Sequence, residues 1–247
     1  MRFLLRSLTA LVGFTLHLSG CSSQSTPFEG SHALVYQRMK SGQSVLAAPT
    51  LHVKSGSLVI VSVGRGDIRA FEKPLVQQLP LSESGASRIA DLGTPHSYSR
   101  YPQSGTATYA VTASGPDAAS LDISTRTPPS DEVTLAAVVA AGSRVQDFAW
   151  NEVLAGRRIW RNRIRSGKVS TTGPATLVAF WWGDAGVRGE KKAVPRDGFQ
   201  LIDTIGAPGE LVQCAVAVKH VAQAGEYDVT WKSTPAQGAQ LWLVAVQ

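Results

Sequence analysis

Cysteine is nearly missing from this 247-residue chain. Only Cys21 and Cys214 occur, so one disulfide at most can form and a packed core must hold the fold. Charge is sparse too, at 17% of residues, with 24 basic against 18 acidic side chains. That mild surplus is compatible with an acidic partner without demanding one, and no nucleic acid is expected as ligand. Motifs of catalysis are also missing. There is no G-x-S-x-G elbow, no Gly-rich phosphate cradle and no Walker-type motif. The histidines of the body, His32, His52, His96 and His220, stand apart from one another and from any cysteine or paired acid at metal-ligand spacing. No catalytic residue, metal or cofactor is therefore expected. Carboxylates are numerous enough for a two-carboxylate glycosidase, whose pair assembles in space, but nothing singles out a pair.

What is present begins at the N-terminus. Arg2 and Arg6 precede an apolar stretch from Leu8 to Leu18, too short for a membrane span of about 20 residues but suited to the h-region of an export signal. It ends in Leu18-Ser19-Gly20-Cys21, which resembles the lipobox of bacterial lipoproteins. The resemblance implies that residues 1–20 are a signal peptide and that Cys21 carries a covalent lipid as first residue of the mature chain. Several acyl chains acting together hold a protein on a bilayer firmly, at about 0.8 kcal/mol per buried methylene. Residues 21–33, opening with Ser22, Ser23, Gln24, Ser25, Thr26 and Pro27, read as a flexible tether. The resemblance places the protein in the cell envelope. Ser22, where an aspartate would retain a Gram-negative lipoprotein on the inner membrane, implies the outer membrane in such a host. Removing residues 1–20 takes away Arg2 and Arg6 and no acid, which lowers the formal charge from +6 to +4. Cys214 is then left without an intramolecular partner. In Val212-Gln213-Cys214-Ala215-Val216-Ala217-Val218 it shares a strand face with three valines, as a buried inert thiol would.

Beyond the tether, apolar residues alternate with period 2 in short runs punctuated by Gly, Pro, Ser and Asp. Tyr227, Val229 and Trp231 face one way and Asp228, Thr230 and Lys232 the other; Tyr109 and Val111 alternate with Thr108 and Thr112. Leu58-Val59-Ile60-Val61 and Leu177-Val178-Ala179-Phe180-Trp181-Trp182 are continuous apolar runs, expected of central strands covered on both faces. Long helical periodicity is missing, so the fold class is all-β, of sandwich or jelly-roll type. The segment from Ser143 to Gly156 reads either as a short connecting helix, with Ser143 and Gln146 as a capping box, or as a first strand.

An internal repeat gives the expected organisation. Leu121-Asp122-Ile123-Ser124-Thr125-Arg126-Thr127-Pro128-Pro129 aligns without gaps on Tyr227-Asp228-Val229-Thr230-Trp231-Lys232-Ser233-Thr234-Pro235, and the register continues from Leu135 and Val138 to Leu241 and Val244. Arg38–Gly42 resembles Arg163–Gly167, and Ser57-Leu58-Val59 ending at Gly64 resembles Thr176-Leu177-Val178 ending at Gly183. The common order predicts two tandem β-sandwich repeats, 34–142 and 143–247; the plainer alternative is one larger sandwich whose strands resemble one another as strands do. The second repeat, with Gly198-Phe199 entering a strand, then the Cys214 strand, Tyr227–Trp231 and a closing Leu241–Val246, resembles small β-sandwich modules of bacterial and phage surface proteins. That implies architecture and surface exposure rather than chemistry.

Two features suggest a binding surface. Arg157, Arg158, Trp160, Arg161, Arg163 and Arg165 crowd one segment; if it is extended, Arg161, Arg163 and Arg165 share a face able to hold phosphates, sulfates or carboxylates. The plainer reading is a charged edge strand that resists edge-to-edge pairing. All six tryptophans lie in the second half, and consecutive Trp181 and Trp182 point to opposite faces. One fills a core; the other is buried against the first repeat or lies exposed as a stacking platform. Arg65-Gly66-Asp67 is an integrin-type tripeptide just past a strand end, best read as turn composition. The expected function is a membrane-anchored, non-catalytic binding or adhesion module for an anionic glycan or an envelope component. The alternatives are a structural subunit docking to envelope or secretion proteins and, third, a glycan-active hydrolase.

Overall fold

The structure, a computed structural model, describes residues 30–38, 43–66, 81–84, 86–113, 119–126, 132–154, 164–184, 191–206 and 212–247. It is all-β, and no helix occurs among these residues. In chain order the first strands are β1 (His32–Arg38), β2 (Val45–Ala47), β3 (Leu51–Val53), β4 (Leu58–Gly66), β5 (Leu81–Ser84), β6 (Ala86–Asp91), β7 (His96–Ser97), β8 (Gly105–Ala113), β9 (Ala119–Arg126) and β10 (Glu132–Ala140). They are followed by β11 (Val145–Val153), β12 (Ile164–Arg165), β13 (Val169–Thr171), β14 (Ala175–Gly183), β15 (Lys192–Pro195), β16 (Gln200–Ile205), β17 (Gln213–Val221), β18 (Gly225–Tyr227), β19 (Thr230–Thr234) and β20 (Ala239–Val246).

Two large antiparallel sheets dominate. One runs β1-β10-β4-β8-β6, with β7 also on β8; the other runs β11-β20-β14-β17-β16. The two continuous apolar runs became β4 and β14, the middle strands of these sheets, buried along nearly their whole length. Smaller sheets cover the outer faces: β9 pairs with β2, β3 and β5, while β19 pairs with β12 and β15 and β18 with β13.

Strict alternation splits each large sheet's side chains between two cores. Val59, Val61 and Val63 face outward to Leu46, Leu51, Leu121 and Ile123. Leu177, Ala179 and Trp181 face outward to Ile164, Val169, Val229 and Trp231. Between the large sheets, Leu58, Ile60, Ala136 and Val138 meet Val178, Phe180, Trp182, Cys214, Val216, Trp242 and Val244. The body is thus layered as small sheets, large sheet, large sheet, small sheets.

The strand pairings give the two halves matching connectivity. Leu51 pairs with Leu121 as Val169 pairs with Tyr227, and Leu46 pairs with Thr125 as Ile164 pairs with Trp231. The gap-free match of 121–129 with 227–235 therefore agrees with the pairing wherever both stretches are described. Two other matches shift. Leu46 occupies the place of Ile164, whereas Arg38 ends β1 opposite Glu132, so the Arg38 and Arg163 segments are not counterparts. Leu58 faces the central core but Leu177 an outer one; the counterpart of Leu177 is Val59, one residue on. An odd slip reverses every side chain in a strand, which similarity of apolar runs cannot detect.

Residues 145–153 form β11, an edge strand, and the helical alternative for 143–156 is set aside. Its pairing with β20, including Trp150 opposite Trp242, outweighs the local capping signal. Arg65 and Gly66 are the last residues of β4, paired with Val133 and Glu132, rather than lying beyond the strand; Asp67 is outside the described residues.

Candidate functional site

Strand polarity sorts the connections onto two ends. The chain enters β1 beside the end of β10, where Val139 N–H donates to Ser31 O. The same end carries the tight links 54–57, 141–144, 172–174, 196–199 and 222–224, and Gln247. Ser143 and Arg144 N–H both donate to Gln247 O there. Thr176 Oγ1 donates to Ala141 O at 3.0 Å, so both large sheets present this end together. At the opposite end the strands are joined by 39–44, 67–80, 92–104, 127–131, 154–163, 184–191 and 206–212. Long connections on a rigid sandwich are where binding residues commonly lie.

The connection 92–104 bridges the two large sheets at this loop end. It belongs to the first large sheet but docks on the second. His96 stacks on Trp150 with ring centroids 3.8 Å apart and planes 11° apart, and Trp242 lies tilted at 5.4 Å. Ser99 N–H donates to Glu152 Oε1 at 2.8 Å and its hydroxyl to Glu152 Oε2. Tyr98 O–H reaches Trp182 O at 3.1 Å. Burial lowers the His96 imidazole below its ordinary pKa, against the opposing pull of Glu152. Burial first, then Asp184, Cys214 and Glu152, push the Tyr98 phenol well up, so it stays a proton donor. These groups are suited to holding a loop in place, through a neutral ring on an indole and a phenol on a carbonyl.

Behind them is a buried polar seam between the large sheets. Trp182 Nε1 donates to Ser62 Oγ at 3.1 Å and Trp242 Nε1 to Thr106 Oγ1 at 2.8 Å. Thr106 Oγ1 in turn donates to Gln240 Oε1 at 2.6 Å, and Thr134 Oγ1 to Val212 O at 2.9 Å. Each such bond adds about 1 kcal/mol and, more important, fixes which side chain meets which.

The sequence-nominated residues fare differently. Arg157, Arg158, Trp160, Arg161 and Arg163 lie outside the described residues, as do Cys21 and the tether up to residue 29. Their segment leaves β11 at the loop end and returns as β12, where alternation is visible: Ile164 is buried and Arg165 exposed. Arg165 Nε lies 3.0 Å from Asp228 Oδ1, with 67% of the arginine side chain accessible. Trp181 and Trp182 are corrected as ligand contacts: at 1% and 0% exposure, the first fills the second outer core and the second the inter-sheet core. A surface stacking platform needs a free ring face, which neither has. Cys214 is fully buried among Val212, Val216 and Val218, and burial raises its thiol pKa well above the ordinary value, as fits an inert side chain. Among the described residues no three His, Cys, Asp or Glu side chains converge as a metal site would require.

The docked cluster of His96, Tyr98, Ser99, Trp150 and Glu152 went unnoticed in the sequence. Its partners are some 50 residues apart, and nothing local marks them. Comparison with protein-family models, curated proteins and solved structures returned no match, so the functional reading rests on the chain's own residues.

Proposed function

We propose that the chain is an envelope lipoprotein, held in the membrane by lipid on Cys21, whose paired sandwiches present the loop end as a non-catalytic binding surface. The ligand class is an anionic glycan or envelope component, engaged by the arginines of 157–165. One observation carries this reading: the long connections, including the arginine segment, join strands at the end opposite the one where the chain enters from its tether. Cys21 lies nine residues before Gly30, about 30 Å at full extension, so a tether of that length sets the body close to a bilayer with its entry end inward. Guanidinium groups suit such ligands because they pair bidentately with sulfate, phosphate and carboxylate.

Two measurements test this. Detergent partitioning and mass spectrometry of the exported protein should find an acylated Cys21, with the C21S variant in the aqueous phase; an unmodified, soluble wild type would remove the anchor. Mature protein is then titrated with lipopolysaccharide, peptidoglycan fragments and sulfated and neutral glycans, following tryptophan fluorescence. Saturable binding that weakens with salt, and weakens at least tenfold when Arg157, Arg158, Arg161 and Arg163 are all changed to Ser, is the expected result. If the panel is silent, weight moves to the alternative of a structural subunit that docks to other envelope proteins.

A further inference from the structure

We infer that the face between the two large sheets is an isologous interface: the halves meet as copies of one module, related by a two-fold axis passing beside Gly64 and Trp182. The counterpart positions follow from pairing alone. Setting Leu135 against Leu241 makes Thr134 the counterpart of Gln240. Thr134 pairs with Gly64 and Gln240 with Trp182, so Gly64 and Trp182 occupy the same place in the two sheets. The next strands continue the relation: Gly64 pairs with Thr106 and Trp182 with Cys214, making Thr106 the counterpart of Cys214. On the other side Val138 pairs with His32 and Val244 with Phe148, making those two counterparts.

A two-fold interface has a strict signature. If residue i of one copy touches j of the other, then j touches i with the copies reversed, and residues on the axis touch their own counterparts. Gly64 meets its own counterpart: a Cβ on it would lie 2.5 Å from the Trp182 ring. Thr106 bonds to Gln240, and in reverse Thr134 bonds to Val212, two residues from Cys214. His32 lies 3.6 Å from Asp203 on β16. In reverse, the Phe148 ring sits 3.2 Å from a Cβ built on Gly93, two residues past the end of β6, the strand that corresponds to β16. The contact on the axis obeys the rule residue for residue, and the contacts on either side of it obey it to within two residues.

Each large sheet is therefore a surface shaped for the corresponding sheet of the same module, supplied here by the same chain. Those faces are closed to other ligands, which leaves the loop end and the outer sheets for partners. This inference rests on the two-module body assumed above but not on its ligand, and its test reads stability rather than binding.

The test inverts the interface in the full mature chain. Ser62 and Phe180 are counterparts by the same pairing, since Ser62 pairs with Ala136 and Phe180 with Trp242. One half-exchange, Ser62→Phe with Gly64→Trp, sets bulk against bulk. The other, Phe180→Ser with Trp182→Gly, sets small against small. The fourfold exchange combines them. Under two-fold symmetry it rebuilds the native contact with the halves reversed, so it melts above both half-exchanges. A fourfold variant that melts at or below either one, or fails to fold, overturns the inference.

Discussion

The two large sheets share a strand order yet furnish their common core in opposite ways. Beside Leu58, Ile60 and Val138, the first presents small or hydroxylated side chains, Ser62, Gly64, Thr106, Thr108, Ala110 and Ala136; the second presents the bulk of Phe180, Trp182 and Trp242. Bulk on one side is matched by space on the other, and the indole N–H groups of Trp182 and Trp242 each find a hydroxyl across the gap. Packing at crystal-like density explains the pattern: two tryptophan-bearing faces would not close, and two alanine-like faces would leave cavities. The outer cores lack this asymmetry because each is filled within its own half.

Removing bulk from the heavy side should break the match most severely. Trp182→Ala opens a cavity and removes the indole's bond to Ser62, with an expected loss of about 3–5 kcal/mol of stability measured by denaturant unfolding. A loss under about 1 kcal/mol would mean the sheets do not depend on that indole. Adding bulk on the light side comes next. Gly64→Ala forces a methyl against the Trp182 ring and Val212 and should cost about 1–3 kcal/mol, part of it relieved in a Trp182→Phe background; an unrelieved loss would point to Val212 as the obstacle instead. Thr106→Val keeps the shape but leaves Trp242 Nε1 and Gln240 Oε1 without their partner, again about 1–3 kcal/mol by the same measurement.

Two smaller effects lie away from the middle of the interface, one in the docked connection and one on an outer sheet. His96 has a folded pKa below its unfolded value, so the unfolded chain takes up the proton first. Its contribution is complete above the unfolded value near 6.5 and is lost as pH falls through the lowered folded value. The wild type should therefore lose more melting temperature on acidification through this window than His96→Phe does. Equal slopes would show that the stacked imidazole is not the group responsible. Smallest of all, Arg165→Ala removes a largely exposed ion pair with Asp228 and should shift stability by less than about 1 kcal/mol.

Much of the fold was legible because sheet burial writes itself into alternation. β4, β14, β17 and β20 could be read from apolar runs and period-2 patterns, and the Leu121 and Tyr227 segments revealed their shared pairing. β11 was ambiguous for a physical reason: it is an edge strand with a bulge between Val145 and Asp147, and neither face is fully buried. The candidate site was less legible. Trp181 and Trp182 were correctly placed on opposite faces, but period alone does not say whether a second sheet covers each face. The contact of Ser99 with Glu152 and the stack of His96 on Trp150 depend on where a loop of one sheet meets the edge of the other.

By itself, the sequence determined the all-β class, the central strands and the faces on which their side chains fall, because these follow from local periodicity and the cost of leaving apolar surface in water. Only the tertiary structure decided which strands pair alike in the two halves, and that Trp182 lies over Gly64 instead of at the surface. Register between distant strands is fixed by side chains fitting across a gap, and a one-residue slip that leaves the pattern of an apolar run intact turns every one of them to the other face.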